Sequence, residues 1–455
     1  MSARLRIVFL TPGTGGWYCG ACMRDNALAK ALQAAGHEVA MLPMYLPLQL
    51  DEEELDSGRA APVFFGGINI FLQQKCALFR HTPGWFDKLL NHPRLLRRVA
   101  RHSHMTSARE HGAMTLAMLC MADNRFGKEL DKLCAWLEQE TPDILCLSTA
   151  LQAGMIRELK RRLGVRTICC FQGEDSFLDG LPAPYRDACW RELALRVREA
   201  DLLISPSTFY ANLMEQRLGP GDLTIKVMPN GINLDGYTPQ REKPGPPVIG
   251  FLARMSREKG LETMVEAFVH LRTVLGHPDA RLHLAGAATA ENEPLIEALK
   301  RRLAAAGLTD HVCWQTNISR DDKAAMLGSL TLFSVPANYP EAFGLYVIEA
   351  MASGVPVVQP AAASFPEIVA TAGAGVLVAC DGQRADSCDG HRPPLHELLA
   401  QAWHELLQQP EELCAMAARS RRAAEEFYDV SVMRDRFLAL ARETLGSTGN
   451  RMPLI

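Results

Sequence analysis

The sequence predicts an α/β protein built from two doubly wound, Rossmann-like domains. Three observations lead to this fold class. The chain has 455 residues, more than a single hydrophobic core usually organises. Short apolar runs alternate with helical patterns in both halves, as expected for parallel sheets covered by helices. A cluster of four prolines and one glycine at 239–247 separates the two halves and predicts a linker.

The first half opens with a strand, a turn, a helix and a second strand. A strand is predicted at 4–10, the turn at 11–16 is rich in glycine, and a helical pattern at 23–35 leads to a second predicted strand at 38–43. This order is typical of the first crossover in a doubly wound sheet. Further strands are predicted at 144–148, 166–171 and 202–205, and further helices at 152–163, 185–199 and 208–218. Residues 45–123 depart from this alternation and are predicted to be an insertion.

The alternation restarts after the linker. Strands are predicted at 248–252, 281–285, 312–315, 331–335, 355–358 and 375–378, helices at 261–275, 294–306, 321–327, 345–353 and 365–370, and a helical tail at 395–445. We therefore predict a first domain over 1–235, a second over 236–429, and a last helix, at about 430–450, that packs back on the first. Ligands of such sheets bind at the carboxyl ends of the strands, so we expect a ligand in a central cleft between the domains.

Composition excludes several classes of protein. A formal net charge of −4 argues against a surface built for nucleic acid. The longest apolar stretch, 113–122, is about half of a membrane span, and a cytoplasmic protein is expected. The 13 cysteines are odd in number and irregular in spacing, unlike a disulfide framework. We expect Cys146, Cys169, Cys170 and Cys313 to lie in apolar surroundings.

The most informative segment is 340–358. Glu341 precedes a predicted helix that starts at Leu345 and carries Glu349. The backbone N–H groups of Ala342, Phe343, Gly344 and Leu345 would form a helix start, where phosphate or sugar oxygens bind. Glu349 has apolar neighbours in the sequence, and an unpaired carboxylate would be costly there. We interpret it as a residue that binds a diol such as a ribose; the alternative is a solvated helix residue, with Glu341 as an ordinary first-turn acid.

This segment resembles the retaining glycosyltransferases of family 4, which have the GT-B fold. Glu341 and Glu349, followed by Ala-Met-Ala-x-Gly-x-Pro-Val-Val, match the glutamate motif of that family. Arg254 and Lys259, in Phe-Leu-Ala-Arg and Lys-Gly, are similar to its strand-end arginine and helix-start lysine. Taken alone, these two would be read as a solvated basic turn.

Weaker elements occur in the matching order. Gly15 and Gly16 resemble the glycine loop of the family, 229–233 resembles its crossing between domains, and 364–369 resembles its Pro-Glu-Ile-Val turn. The segment 65–72 has a faint similarity to the glycogen and starch synthase branch of the same fold.

The resemblance implies a function. A hexose-type sugar would be transferred, with retention, from a UDP-, GDP- or ADP-linked donor to a hydroxyl of a sugar, glycolipid or small-molecule acceptor. Arg254 and Lys259 would hold the diphosphate in place of a metal, with help from the glycine loop and the helix start. Glu341 would bind the sugar hydroxyls and Glu349 the ribose. No metal and no cofactor besides the donor substrate is expected.

One departure concerns the first domain. Family members usually carry a histidine after the strand that corresponds to 166–171, where this chain has Gln172, followed by Gly-Glu-Asp. Gln172 can form a hydrogen bond with a sugar hydroxyl but cannot carry a positive charge. We expect either Gln172, or Asp175 with Glu174, to act in catalysis. The alternatives are a non-catalytic protein that binds nucleotide sugars and a sugar-nucleotide epimerase of the same fold.

For two further patterns, a pair of cysteines and a series of arginines, a structural role is favoured over a functional one. Cys19 and Cys22 are spaced as in a redox or metal motif, but the sequence has no second pair, so structural or acceptor-lining cysteines are favoured. Basic residues alternate with apolar ones in the insertion, and a solvated helix face is favoured over peripheral contact with anionic lipid at the inner face of a membrane. These residues are Arg94, Arg97, Arg98 and Arg101.

Overall fold

The structure is a computed structural model of the chain. It describes residues 4–13, 20–48, 63–76, 108–121, 125–240, 245–379 and 393–446, with a few isolated positions between 50 and 96. The chain divides into two compact units. The first consists of Met1–Asn230 and Val430–Ile455, and the second of Gly231–Asp429.

The first unit is a parallel sheet with helices. Its strands are β1 (Arg6–Thr11), β2 (Glu38–Pro43), β3 (Ile144–Leu147), β4 (Arg166–Cys170), β5 (Leu202–Ser205) and β6 (Ile225–Val227). They lie in the order β2-β1-β3-β4-β5-β6, and each neighbouring pair is parallel. Strand β6 was not predicted, because only three residues pair and two of them are exposed.

Helices of the first unit join these strands in sequence order. They are α1 (Gly20–Ala34), α2 (Gly67–Lys75), α3 (Ala108–Cys120), α4 (Gly127–Glu140), α5 (Ile156–Leu163), α6 (Glu174–Asp179), α7 (Tyr185–Arg196) and α8 (Thr208–Leu218). Short 3₁₀ turns occupy Ala150–Met155 and Val197–Glu199. The predicted insertion therefore contains α2 and α3 among its described residues. The first sheet is nearly continuous in apolar residues because both of its faces are covered.

The second unit has the same type of architecture. Its strands are β7 (Val248–Leu252), β8 (Arg281–Gly286), β9 (Val312–Thr316), β10 (Leu332–Phe333), β11 (Val357–Pro360) and β12 (Gly375–Val378), in the order β12-β11-β10-β7-β8-β9 and all parallel. Its helices are α9 (Leu261–Thr273), α10 (Glu293–Ala305), α11 (Arg320–Ser329), α12 (Leu345–Ala352), α13 (Phe365–Ala372), α14 (Leu395–Leu407) and α15 (Pro410–Phe427), with a 3₁₀ turn at Thr309–His311. Two six-stranded parallel sheets with helices confirm the predicted fold class.

The last helix, α16 (Val430–Gly446), belongs to the first unit. It packs against α1 and β4, and its Phe437 ring lies 5.9 Å from that of Phe9 in β1. Met433 and Phe437 are part of the first unit's buried core. The predicted boundary between the domains was 235/236, and the two compact units meet at 230/231.

The burial of the cysteines depends on whether their strand is central or at the edge of its sheet. No disulfide joins those within the described residues. Cys146, Cys169 and Cys170 are fully buried in the central strands of the first sheet. The surroundings of Cys170 are not wholly apolar, because its Sγ accepts a hydrogen bond from the buried Arg24 at 3.7 Å. The expectation for Cys313 was wrong, because its strand, β9, lies at the edge of the second sheet and leaves the side chain exposed.

Candidate donor site

The predicted donor-binding residues of the second unit follow two neighbouring strands. Arg254 comes after β7, and 334–344 comes after β10, which pairs directly with β7. The carboxyl ends of adjacent parallel strands meet at one edge of the sheet. The topology therefore brings the arginine–lysine segment and the glutamate motif to that edge, although they lie far apart in sequence.

Lys259 and Glu341 form an ion pair there. The lysine Nζ lies 2.5 Å from Oε2 of the glutamate and also donates to the Tyr339 hydroxyl. The hydroxyls of Tyr339 and Tyr346 donate to the same Oε2 at 2.7 and 2.8 Å. Both tyrosine rings lie beside the ammonium group, 4.8 and 5.1 Å from ring centre to Nζ, at distances where a cation is attracted to the ring face.

The environment sets the charge of this cluster. Burial favours the neutral carboxyl group of Glu341, but the charge and hydrogen bond of Lys259, with the two tyrosine hydroxyls, outweigh it and lower the pKa of Glu341. Burial, and the negative charge of Glu341, raise the pKa of Tyr346 well above its usual value. The site therefore contains an ionised glutamate and a tyrosine that remains a hydrogen-bond donor at neutral pH.

Two glycines let the backbone reach this arrangement. Gly260, next to Lys259, caps α9 with φ of 76°, and a Cβ atom there would lie 1.9 Å from the Pro336 carbonyl oxygen. Gly344 caps α12 with φ of 91°. Both conformations are in the left-handed region that favours glycine. Each predicted site segment thus depends on a glycine at the start of its helix.

Glu349 is buried in α12 and has two partners. Its Oε1 accepts hydrogen bonds from Lys323 Nζ at 2.6 Å and from the Tyr237 hydroxyl at 2.9 Å. The glutamate is 6% exposed and the lysine 8%. An unpaired carboxylate would be costly at this position, and α11 supplies a lysine that pairs with it. The predicted contact of Glu349 with a ribose stays a prediction.

The two glutamates of the motif share one property. The side-chain donors that contact Glu341 converge on Oε2, and those that contact Glu349 converge on Oε1. Among the described residues, no side chain donates to the second oxygen of either carboxylate, and neither second oxygen is sealed from solvent. Each glutamate is thus fixed through one oxygen and can accept hydrogen bonds from a ligand with the other.

The other predicted residues of this segment differ in exposure. Arg254 is exposed, which leaves its guanidinium accessible to a ligand. Ala342 and Phe343 are buried, Leu345 is half-buried, and the Phe343 carbonyl accepts a hydrogen bond from Ser364 at 2.8 Å. This contact ties the start of α12 to the turn before α13, the segment predicted from 364–369.

In the first unit, the predicted catalytic residues lie after β4. Gln172 is half-buried, and its backbone N–H donates to Oε2 of Glu174 at 2.8 Å. Glu174 also accepts from Thr149 Oγ1 at 2.7 Å and from the Ala150 N–H at 2.9 Å. Glu174 therefore joins the turn after β4 to the turn after β3 and holds the backbone of Gln172 in place.

Asp175 is directed towards the interior. It is 3% exposed, and its Oδ1 accepts a hydrogen bond from the Tyr210 hydroxyl at 2.8 Å. Burial raises the pKa of Asp175 above its ordinary value, although the Tyr210 hydrogen bond opposes this. Of the three residues predicted for this turn, Gln172, Glu174 and Asp175, Gln172 is the most accessible to a ligand.

Several predicted residues lie outside the described part of the chain. They are Gly15, Gly16, Cys19, Arg94, Arg97, Arg98 and Arg101. Cys22 is described and buried in α1. Within the described ranges, no group of three or more histidine, cysteine, aspartate or glutamate side chains is placed to hold a metal ion. None of the described helices combines the length and the hydropathy that crossing a bilayer requires.

Sequence reasoning missed the partners of the site residues. Tyr339 and Tyr346 flank Glu341 closely in sequence, so their proximity to the motif was a usable signal. Lys323 and Tyr237 had no such signal. A buried group in the first unit was also missed, in which Asp25 binds Arg24 at 2.8 Å and accepts hydrogen bonds from Thr11 and Ser148.

Comparisons with known families agree with this architecture. A sequence model described as "Glycosyl transferase 4-like domain" matches residues 23–231, and one described as "Glycosyl transferases group 1" matches residues 238–388. The two matches follow each other along the chain and together span most of it.

Curated relatives align over part of their length. Glycogen synthase from Mycobacterium tuberculosis (strain H37Rv) is 31% identical over 189 residues, 40% of this chain and 43% of the relative. A lipopolysaccharide core biosynthesis mannosyltransferase from Rhizobium meliloti is 32% identical over 180 residues, 36% and 49% of the two chains. The chain thus spans less than half the length of these relatives.

Solved structures share the fold along nearly the whole chain. Sucrose-phosphate synthase from Thermosynechococcus elongatus has a TM-score of 0.69 at 17% identity and covers 97% of this chain and 99% of its own. HepE from Anabaena, in complex with UDP and glucose, has a TM-score of 0.64 at 15% identity and covers 96% and 100%. With the two matched sequence models in order and this shared architecture, the chain belongs to the family 4 glycosyltransferases of GT-B fold.

Proposed function

We propose that the protein transfers a hexose-type sugar from a nucleoside diphosphate donor to an acceptor hydroxyl, with retention of configuration and without a metal. The observation that carries this proposal is the Lys259–Glu341 pair at the carboxyl edge of the second sheet. In this pair, the ammonium group would bind the diphosphate and the neighbouring carboxylate would bind the sugar hydroxyls. A donor sugar and its phosphates are covalently linked, so they require two such groups close together.

The charges of the site suit a diphosphate leaving group. As the sugar–phosphate bond breaks, negative charge accumulates on the departing diphosphate. Lys259 and the exposed Arg254 neutralise that charge, the role that a divalent cation has in metal-dependent transferases. The tyrosines that contact Lys259 keep its ammonium group in position before the donor binds.

Glu341 and Glu349 bind different parts of the donor. When the diphosphate engages Lys259, the accessible oxygen of Glu341 accepts hydrogen bonds from the sugar hydroxyls, while Tyr339 and Tyr346 hold the other oxygen. Glu349 accepts from the ribose. The bond between the anomeric carbon and the phosphate oxygen breaks, and the acceptor oxygen bonds to that carbon on the face that the phosphate leaves. The departing phosphate oxygen takes the proton of the acceptor hydroxyl. Configuration is retained, and no separate protein base is needed.

The relatives support a sugar-nucleotide donor and suggest which donors to try first. HepE was crystallised with UDP-glucose, and another relative, from Mycolicibacterium smegmatis, is named as a GDP-mannose-dependent mannosyltransferase. We therefore propose UDP-, GDP- and ADP-linked hexoses as the donor panel, with sugars, glycolipids and small molecules as acceptors.

The test is turnover of that panel. The protein is incubated with each nucleotide sugar, thermal stabilisation reports binding, and release of the nucleoside diphosphate reports turnover. We expect at least one donor to stabilise the protein and to be consumed, with the same rate in excess chelator. Binding without turnover would favour a non-catalytic binding protein, and conversion of the sugar without an acceptor would favour an epimerase. Loss of turnover in chelator, restored by magnesium or manganese, would contradict the metal-free mechanism.

A further inference from the structure

We propose that Lys323 is a positioning residue of the donor site, which acts with Tyr237 to fix Glu349 so that it presents one carboxylate oxygen to the ribose diol of a nucleoside diphosphate. This inference rests on the proposed function and deepens it. It concerns two residues that none of the sequence motifs contains.

The geometry places three side chains in one buried group. Lys323 lies in α11, Glu349 in α12, and Tyr237 in the segment before β7. The lysine and the tyrosine hydroxyl both donate to Oε1 of the glutamate, at 2.6 and 2.9 Å. Because the two donors come from different elements, they restrict the carboxylate from two directions. The orientation of Glu349 is thereby set before any ligand arrives.

Lys323 and Tyr237, the two hydrogen-bond donors, are themselves held in position by neighbouring residues. Ser319 caps α11 by accepting the Asp322 N–H at 3.1 Å, which fixes the first turn of the helix that carries Lys323. The Tyr237 ring lies 5.2 Å from the guanidinium of Arg320 in the same helix, and its carbonyl accepts from Arg421 at 2.6 Å. Burial raises the pKa of Tyr237 well above its usual value, so its hydroxyl remains protonated and donates.

The arrangement is more specific than structural stability needs. A buried lysine–glutamate pair is expensive to desolvate, and apolar residues of similar volume often replace such pairs without loss of stability. A pair kept only for its charge would also gain from contacts to both carboxylate oxygens. Here both donors use Oε1, and among the described residues no side chain donates to Oε2, which is not sealed from solvent. A ribose diol supplies two hydroxyl donors for such an oxygen.

Charge compensation gives a second reason for the lysine. The proposed donor carries a negatively charged diphosphate, and the unit contributes two carboxylates of its own from the glutamate motif. Glu341 is compensated by Lys259 and Glu349 by Lys323. Without Lys323, Glu349 would be a buried carboxylate whose charge is not compensated, and it would repel the diphosphate of the donor.

The test compares ribose recognition in the whole protein with and without the lysine. Binding of UDP, GDP and ADP, and of their 2′,3′-dideoxy counterparts, is measured calorimetrically for the parent, Lys323→Met and Lys323→Arg. The parent should prefer the ribonucleotide by about 10- to 100-fold, as for hydrogen bonds to a charged group. Lys323→Met should reduce this preference towards one, and Lys323→Arg should retain most of it. A structural defect alone would weaken both ligands equally and leave the preference unchanged.

Two further variants keep the test decisive. Tyr237→Phe removes only the second donor to Oε1 and should lower the ribose preference by a smaller factor, so it provides a result if Lys323→Met does not fold. Arg302→Met removes an exposed partner of Glu266 in the same unit and should leave the preference unchanged. The inference is overturned if folded Lys323→Met and Tyr237→Phe both keep the parental preference.

The parent itself separates this inference from the proposed function. If no nucleoside diphosphate binds to the parent, the proposed function fails and the inference fails with it. If the parent binds a diphosphate but does not distinguish ribose from dideoxyribose, the inference alone fails. The donor role of Lys259 and Glu341 would then stand without a ribose contact at Glu349.

Discussion

The ammonium group of Lys259 lies 2.5 Å from Oε2 of Glu341, so the residue predicted for the donor diphosphate and the residue predicted for the donor sugar contact each other directly. The hydroxyls of Tyr339 and Tyr346 also donate hydrogen bonds to this carboxylate oxygen. The proposed donor would therefore have to exchange part of this pairing for its own phosphate and hydroxyl groups.

The first prediction concerns the pH dependence of the pair. The pKa of Glu341 is below its ordinary value of 4.5 in the folded state, so its ionised form stabilises the fold at neutral pH, and this contribution disappears as pH falls through the folded pKa. Glu341→Gln should cost about 1.5–3 kcal/mol at pH 7, as for a hydrogen bond to a charged group. The free energies of unfolding of the two proteins should converge below pH 4.5. A difference independent of pH would contradict the ion pair.

The contribution of Asp175 to the free energy of unfolding should have the opposite pH dependence. Burial raises its pKa above the ordinary value of 3.8, so the folded state favours the protonated form and ionisation at higher pH opposes folding. Asp175→Asn resembles the protonated form, and we expect its stability relative to the parent to be higher at pH 7 than at pH 3. The gain should develop as pH rises from the unfolded to the folded pKa of Asp175 and stay constant above the folded pKa. Urea unfolding of both proteins at several pH values tests this. If the stability of Asp175→Asn relative to the parent falls as pH rises, the ionised carboxylate stabilises the fold and the prediction is wrong.

The backbone beside Lys259 has no room for a Cβ atom at Gly260. A second glycine with the same φ angle, Gly276, separates the cost of this close contact from the cost of the φ angle. Gly260 and Gly276 both have φ of 76°, but a Cβ atom would lie 1.9 Å from the Pro336 carbonyl oxygen at Gly260 and would contact nothing within 4 Å at Gly276. Gly276→Ala should cost about 1 kcal/mol for the left-handed conformation. Gly260→Ala should cost a further 1–3 kcal/mol or so, because a backbone oxygen cannot rotate away. Equal losses in urea unfolding would show that the loop relaxes freely.

Gln172 is expected to affect rate more than affinity. Its backbone is held by Glu174, which leaves the half-buried side chain to bind a ligand. If the amide contacts the sugar mainly in the transition state, Gln172→Ala should lower kcat by about 10²-fold or less and change donor affinity little. Gln216→Ala, at an exposed position in α8, is the control and should have no effect. Equal turnover of Gln172→Ala and the parent would leave Asp175 as the other predicted residue.

The sequence by itself determined the two parallel α/β sheets and the positions of the site segments. Apolar runs of strand length, helical patterns and glycines between them are local features, and parallel strands covered on both faces must be apolar along their length. The position of Glu341 before a helix start and of Lys259 beside Gly260 could also be predicted, because short motifs encode local backbone conformation.

Only the tertiary structure decided which charges meet. Lys323 lies 26 residues before Glu349 and Tyr237 lies 112 residues before it, and no periodic pattern relates such distant positions. Whether a buried carboxylate is paired depends on how helices pack on the sheet, so the sequence did not reveal that Lys323 and Tyr237 bind Glu349. The same applies to Cys313, whose exposure follows from the edge position of β9 in the sheet order. Strand order and helix packing are properties of the assembled fold, whereas the segments that enter it are encoded locally.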